Sequence, residues 1–593
     1  MIELRPSRDL LDPEFAGYKL SIDPVPCYQY SLEDDVDHIL PSDDQYSLLH
    51  AKVFGLHNHL YADVLSEDNL YYVDERWRLQ RVRQNNLTGR FEGLRTMWEM
   101  TKHHPRKPGH YNPSLSFTSA DFAVVSDGAG SLYIVYTGNR EEADSFQTVH
   151  VEEPCGEEKA FKVIHSRCIS EGGHKFIHCL LLHIETRPEE EVKESKEKGV
   201  FTTLLEWLIF NDGGIGKWSL HASRQVSTVK GIEYAAIETY CTALYVASEK
   251  PVVFTKDSEK PVEDRKIPEQ ENMQKPKRYM WLQNQEDITV WLQLAESVVK
   301  QDIHVKACAD CLTITCRGQN LLEGDTCHRL STELPAVWTL EKGKLELTLN
   351  KEETGLMWSC LLKGCDEGEQ IMDPALVAEI HERLAHLCSE TESSGGCVTT
   401  FNSEQLEECD EVSSSASFLH RLCPQTHSTT HKVTLGGLQW LFSCQIKPER
   451  VPAMCLRHDV DGCVWQPYEP GDSIREKPAT SDDKWPLKHV GTFFALGYIQ
   501  AGKSQRKFSV CSPDLSYVAI CEATRHIYIY RQPCPVNGEL RNRRTGRHVK
   551  QVAVQQLLNL DSQEEILGVH ASIEFLYVLT PSTMYAFHIN VKD

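Results

Sequence analysis

From Asp287 to Leu294 apolar and polar positions alternate strictly, with Ile288, Val290, Leu292 and Leu294 in one phase and Asp287, Thr289, Trp291 and Gln293 in the other. A period of two puts each set on its own side of a pleated ribbon, so the segment reads as a half-buried strand. The same period returns in Ile303, Val305 and Ala307, in Leu312, Ile314 and Cys316, and in Leu345, Leu347 and Leu349. Several short alternating strands within residues 279–362, without helical spacing between them, predict an antiparallel β-sandwich.

The rest of the chain shows a second regularity. Leu-Tyr followed by further apolar residues recurs at 70–73, 132–135, 244–247 and 576–579, with IYIY at 527–530 as a variant. Some of these runs lead through a few turn residues into another strand, as in LYVASEKPVVF and LYVLTPSTMYAFHI, which is the pattern of a hairpin. The intervals are 62 residues from Leu70 to Leu132, 112 from Leu132 to Leu244 (two units) and 49 from Ile527 to Leu576. They bracket the roughly 40 to 50 residues of a propeller blade. Strands near 178–183 and 463–465 bring the count to about seven. The expected fold is mainly β: a β-propeller of about seven blades, formed by residues 1–267 and 428–593, split by the sandwich.

The borders of the insertion have their own composition. Residues 268–278 belong to a charged, proline-bearing linker. Residues 371–389 predict an amphipathic helix, with Asp373 as N-cap, Pro374 in the first turn, and Leu376, Ile380, Leu384 and Leu387 on one face. Residues 390–427 read as an acidic flexible linker, since no Lys or Arg occurs between Ser389 and His420.

Charge and cysteine usage narrow the classes of partner. Lys and Arg number 62 against 86 Asp and Glu, a net charge of −24 that repels phosphate backbones, so direct nucleic-acid binding is not expected. No run approaches the ~18 uninterrupted apolar residues of a membrane helix, and the first residues lack the apolar stretch of a signal peptide. The 21 cysteines are odd in number and scattered through apolar runs. That usage fits reduced thiols, and the expected compartments are cytoplasm and nucleus.

At the inserted region the residues carry a resemblance. YMWLQNQEDITVWLQL, DIHVKA, LTITCRGQNLLEGDTCHRL, AVWTLEKGKLELTLNK and a final Trp358 are similar to a CS domain of NudC type. The matching positions are Trp281 and Gln283 at the first strand, the step from Gly318 to Gly324, the Trp338 strand, the strand ending at Lys351, and Trp358. The flanks LLDPEFAGYKLSIDPVPCYQY, CLRHDVDGCVWQP and HIYIYRQP extend the resemblance to NudC domain-containing proteins, leaving 80–113 and 138–162 unmatched. The resemblance implies a non-enzymatic protein-binding adaptor or co-chaperone acting in client folding or complex assembly. Its implied partners are the ninety-kilodalton heat-shock chaperone and propeller-containing or dynein-linked clients. A dynein- or vesicle-transport scaffold is the alternative, and a hydrolase at the propeller mouth a minor one.

Trp291, on the outward phase of its strand, forms with His304 and Lys306 a candidate partner-binding face. No catalytic, cofactor or metal site is expected. Cys308 and Cys311 have C-x-x-C spacing but no second knuckle. His103, His104 and His110 lie in HHPRKPGH, read as a solvated loop with two prolines. His381 and His386 are five apart and do not share a helix face. HDVDG at 458–462 and GAGS at 128–131 read as hairpin turns, and RNRRTGRHVK at 541–550 as a solvated basic loop.

Overall fold

Strands buried on both sides are the signature of the larger part of the molecule. Asn69–Val73, Phe122–Ser126, Leu244–Ser248 and Phe575–Leu579 are buried at every position, which requires packed sheets on either side of each. The computed structural model describes residues 2–262, 279–370, 417–467 and 487–590, less short gaps, the longest lying within 102–105, 189–198, 364–367 and 536–550. The chain divides into two units, residues 1–262 with 402–593, and residues 263–401.

The first unit holds seven sheets, each a blade. Blade I comprises Tyr61–Ala62, Asn69–Val73, Arg78–Gln84 and Phe91–Glu99, and blade II Ser114–Phe117, Phe122–Ser126, Leu132–Tyr136 and Gln147–Glu152. Blade III comprises Lys162–Glu171, His174–Thr186, Phe201–Asn211 and Ser219–Thr228, with Val253–Asp257 as a fifth strand. Blade IV comprises Ile232–Ile237, Leu244–Ser248, Phe418–Cys423 and Ser428–Thr434, and blade V Gln439–Cys444, Ala453–His458, Asp461–Pro467 and Leu487–Phe493. Blade VI comprises Arg506–Cys511, Tyr517–Glu522, His526–Pro535 and Gln551–Asn559. Blade VII comprises Gly568–Ala571, Phe575–Leu579, Thr583–His588 and, from the other end of the chain, Cys27–Ser31.

Seven separate apolar clusters join these sheets in sequence. Tyr71 and Met97 of blade I meet Val125 and Tyr133 of blade II, and Val124 and Ile134 meet Ile177 and Phe210 of blade III. Leu205 and Trp207 meet Ile237 and Leu422 of blade IV, and Tyr245 and Leu419 meet Met454 and Trp465 of blade V. Cys455 and Val464 meet Val518 and Ile520 of blade VI, and Ala519 and Ile529 meet Leu576 and Val578 of blade VII. The last cluster packs Phe575 and Tyr577 of blade VII on Leu70 and Tyr72 of blade I, so the blades close into a ring. This is a seven-bladed β-propeller. Each recurring apolar run falls in its own blade, on the second strand in I, III, IV and VII and the third in II, V and VI. That change of strand is why the intervals were uneven.

Chain crossings tie the ring further. Ile2–Glu3 adds in parallel to Ser428–Thr434 of blade IV, and Tyr18–Leu20 in parallel to Gln551–Asn559 of blade VI. Between blades VII and I the chain carries the helix Leu48–Gly55, whose N-cap Ser47 accepts from the His50 amide. Lys52 of this helix pairs with Glu233 of blade IV, Phe54 stacks on Tyr111, and the His59 amide then donates to the Leu567 carbonyl beside blade VII.

The insertion severs blade IV between its second and third strands. Leu244–Ser248 pairs directly with Phe418–Cys423 across the missing span. The propeller therefore resumes within the stretch 390–427 expected to be linker. The absence of basic residues up to His420 had drawn that boundary too late, because FLHRLC follows the acidic tract without a compositional break at its start. The expected helix 371–389 lies outside the described residues, as do the linker 268–278 and most of the acidic tract.

In the second unit a five-stranded sheet, in the order Val337–Glu341, Lys344–Asn350, Asp287–Gln293, Tyr279–Gln283, Gly368–Gln370, faces a three-stranded one of Ile303–Ala307, Cys311–Cys316 and Gln319–Asp325. Trp281, Val290, Leu292 and Leu347 from one sheet meet Ile303, Leu312, Ile314 and Leu322 from the other. This is the expected sandwich with the expected inward phase. Its last strand extends past residue 362, pairing in parallel with the first.

Candidate functional site

Two of the signature side chains, Gln283 and Lys351, meet the main chain of a third, Trp358, inside the sandwich. The Gln283 side chain donates through Nε2 to the Trp358 carbonyl at 2.8 Å and accepts at Oε1 from the Trp358 amide at 2.8 Å. The Lys351 ammonium donates to the same Oε1 at 3.0 Å and to the Asn284 carbonyl at 2.7 Å. Lys351 is 4 % exposed, and burial lowers its pKa from the ordinary lysine value. Gln283 thus ties the first strand to the segment at Trp358, and a cation held by neutral acceptors closes the knot. Trp281 is buried in the core and Trp338 half-buried against it. Arg317 and Gly318, at φ 51° and 79°, form the two-residue turn between Cys316 and Gln319, a left-handed pair that favours glycine. At Gly324 a Cβ would reach Leu362 at 3.4 Å. These positions therefore build the sandwich.

The outward side of the five-stranded sheet carries the candidate partner surface. Trp291 stands at its centre, its indole N–H donating to Glu346 at 2.9 Å and the Lys344 ammonium 5.3 Å from its ring centroid. Cross-strand pairing puts Met280 on one side of Trp291 and Glu346 on the other, with Thr339 beyond. Met280 is 44 % and Val337 62 % exposed. An aromatic anchor with flanking apolar groups and a charged rim is the composition of a protein-binding patch. His304 and Lys306 are exposed, but on the outer side of the three-stranded sheet, paired with Thr315 and Thr313. Both sheets turn their other sides to one core, so Trp291 faces away from His304 and Lys306. The expected single face of three residues is corrected to two opposite surfaces. Sequence phase identified Trp291 as outward, whereas Lys344, Glu346, Met280 and Val337 emerge only from the strand register.

In the propeller, the innermost strands of six blades surround a cavity of about 420 Å³, lined by Ala62, Ser116, Ser166, Cys444, Cys511 and His570 among others. Asp63 supplies its carboxylate, which the Arg140 guanidinium holds through Nε at 2.5 Å and Nη2 at 2.9 Å. Burial lowers His570 to about 4 and His165 to about 3, so both imidazoles are neutral at physiological pH. Cys511 is held as a thiol by burial and by the neighbouring Cys444. Among the described lining residues the carboxylate is that of Asp63, and its partner is the Arg140 guanidinium.

The remaining motifs resolve as backbone structure. Asp127 accepts from the amides of Ala129, Gly130 and Ser131, shaping the 128–131 turn. His458 pairs with Asp461 across the other turn. Cys308 and Cys311 flank a turn closed by the Cys308 amide. His110 is 5 % exposed, not solvated, and its Nδ1 accepts from the Lys107 amide; His103 and His104 lie outside the described residues, as do His381, His386 and most of 541–550.

Comparison with known proteins identifies the inserted domain and the family. The CS domain model matches residues 277–351. NudC domain-containing protein 1 of Mus musculus is 35% identical over 602 residues, covering 100% of this chain and 99% of its own. That of Xenopus tropicalis is 36% identical over 608 residues, covering 100% and 99%. These alignments span the stretches 80–113 and 138–162 left unmatched by motif alone. A crystal structure of the Myceliophteria thermophila Cps50 (Swd1) β-propeller domain is similar over 90% of this chain and 96% of its own, at 9% identity and a TM-score of 0.29. With full-length identity at this level and a CS domain inserted in the sequence of the propeller, the chain belongs to the NudC domain-containing protein 1 family.

Proposed function

We propose that the protein is a non-enzymatic adaptor or co-chaperone of the NudC type, working in cytoplasm and nucleus. The observation that carries this reading is the outward sheet surface of the sandwich, where Trp291, Met280 and Val337 lie beside Lys344 and Glu346. A sandwich whose signature residues are engaged in its own core, and whose open side is apolar with charged edges, is built to hold a polypeptide. The proposed partners are the ninety-kilodalton heat-shock chaperone and clients in the course of folding, and family membership supports that choice. The propeller cavity offers a second place for a client segment, its lining including Arg167 and Arg450.

The test uses the full-length chain and its Trp291→Ala/Met280→Glu double variant, measuring affinity for the purified chaperone and suppression of aggregation of a heat-labile client. Loss of about thirtyfold or more in affinity, the scale of one interface hot spot, with an unchanged unfolding midpoint, supports the reading. Binding absent from both proteins, together with no suppression by either, defeats it. Removal of the insertion as an alternative probe must stop at residue 416, since Phe418–Cys423 belongs to blade IV.

A further inference from the structure

Blade III carries a cluster that neither the cavity nor the sandwich uses. His183 lies on its second strand and Glu206 on its third; Glu206 sits opposite Leu181, and His183 opposite Leu204, so the two side chains are diagonal neighbours on one side of the sheet. His183 Nε2 is 3.4 Å from Glu206 Oε1. Cys155, in the loop leading into the blade, completes a set whose ligand atoms all lie within 4.8 Å of one another. Among the described residues it is the one such group of three or more His, Cys, Asp or Glu side chains.

The groups behind the cluster are arranged to orient it. His183 Nδ1 faces Glu185 at 3.5 Å, and Glu185 is held in turn by the Lys159 ammonium at 3.0 Å. The Gln225 side chain donates to Glu206 Oε1 at 2.6 Å, and the Thr255 hydroxyl donates to Gln225 at 2.7 Å. A carboxylate behind the second ring nitrogen, and a donor fixing the ligating carboxylate, are the outer-shell partners of metal ligands. Both His183 contacts are longer than an ordinary hydrogen bond of about 2.7–3.2 Å, so the ring is placed without being locked to either carboxylate.

We propose that Cys155, His183 and Glu206 bind a divalent cation of the zinc class, with a fourth position open to water or to a partner's side chain. Thiolate, imidazole and carboxylate are the three protein ligand types of zinc, at about 2.0 to 2.3 Å from the ion, which sets donor atoms roughly 3 to 4 Å apart. The observed spacing needs only a small contraction. Sulfur in the set disfavours magnesium and calcium. Thiolate ligation means that the ion displaces the Cys155 thiol proton on binding. Sequence spacing hides this set, because its members come from a loop and two long strands.

The experiment strips the full-length protein with chelator and titrates it with cobalt(II), reading the near-ultraviolet sulfur-to-cobalt charge-transfer band, then displaces cobalt with zinc. The expected result is one equivalent bound, the band lost in Cys155→Ser and kept in Cys308→Ser/Cys311→Ser. Glu185→Gln, which leaves all three ligands in place, weakens binding by about 10- to 100-fold. Zinc raises the unfolding midpoint of the parent chain and not that of Cys155→Ser, provided both start folded by circular dichroism. No band at one equivalent, a band that survives Cys155→Ser, or one lost only with Cys308 and Cys311 overturns the proposal.

Discussion

Blades IV and VII are each sewn from two distant pieces of chain, with joins of equal length and different chemistry. Leu244–Ser248 pairs with Phe418–Cys423 over five positions, and Cys27–Ser31 with Thr583–His588 over five. In blade VII the join is at the outer strand, where Cys27, Gln29 and Ser31 are exposed and Tyr28 packs against the cluster shared with blade I. In blade IV it runs through the middle of the sheet, where Leu244–Ser248 is buried at every position and Leu419, His420 and Leu422 are buried opposite it. There Glu238, 3 % exposed, accepts from Arg421 at 3.0 and 2.8 Å and from the Tyr245 hydroxyl at 2.6 Å. Asp257, on the fifth strand of blade III, likewise reaches across the insertion to His427 at 2.7 Å. An edge join holds by its ladder and an aromatic ring. A central join, interrupted by another unit, is matched by charges that pair only when both pieces are present, so the insertion is accepted in one register.

The comparison is most severely tested by Arg421→Met, which leaves the Glu238 carboxylate buried without its cation. The expected loss is about 3–5 kcal/mol in denaturant unfolding of the propeller, with much of it recovered in Arg421→Met/Glu238→Met; a loss below about 1 kcal/mol would mean the charges do not stitch the blade. Tyr28→Ala should cost less, about 1–2 kcal/mol, since a fully buried ring of this kind contributes about 1.5–3 kcal/mol and Tyr28 is half-buried, and its cost should not change with salt. The finest probe is pH. Burial alone would raise the Glu238 pKa, but the hydrogen bonds from Arg421, Thr242 and Tyr245 hold it below the ordinary glutamate value. A depressed carboxyl stabilises the fold above its ordinary range and loses that contribution as pH falls through the folded value. The unfolding midpoint should therefore drop less steeply in acid for Glu238→Gln than for the parent chain, while Tyr28→Ala keeps the parent slope.

Strands packed on both sides announce themselves as unbroken apolar runs, which is why seven blades could be read from Leu70, Leu132, Leu244 and their counterparts. Outer and joining strands do not. Cys27–Ser31 alternates weakly and its partner lies at the far end of the chain, and Phe418–Cys423 is masked by the acidic residues before it. In the sandwich, alternation assigned each side chain to a side of its own sheet, yet gave no information on which sheet lay across the core. Trp291 was accordingly placed outward, and its grouping with His304 and Lys306 failed. Lys351 and Gln283 were visible as motif positions, but their mutual bonds depend on strand register and on the return of the chain at Trp358.

One early strand, Cys27–Ser31, is held by a strand near the far end of the chain, Thr583–His588. Ser31 pairs with Thr583, and on a ribosome adding about 5–20 residues per second, the intervening ~550 residues take roughly 30 to 110 s to appear. Throughout that time Cys27–Ser31 is an open edge of unpaired amides and carbonyls, and Tyr18–Leu20 waits for blade VI. The nascent polypeptide is thus itself a long-lived unfinished substrate, exposed to aggregation for most of its own translation, before its ring can shut.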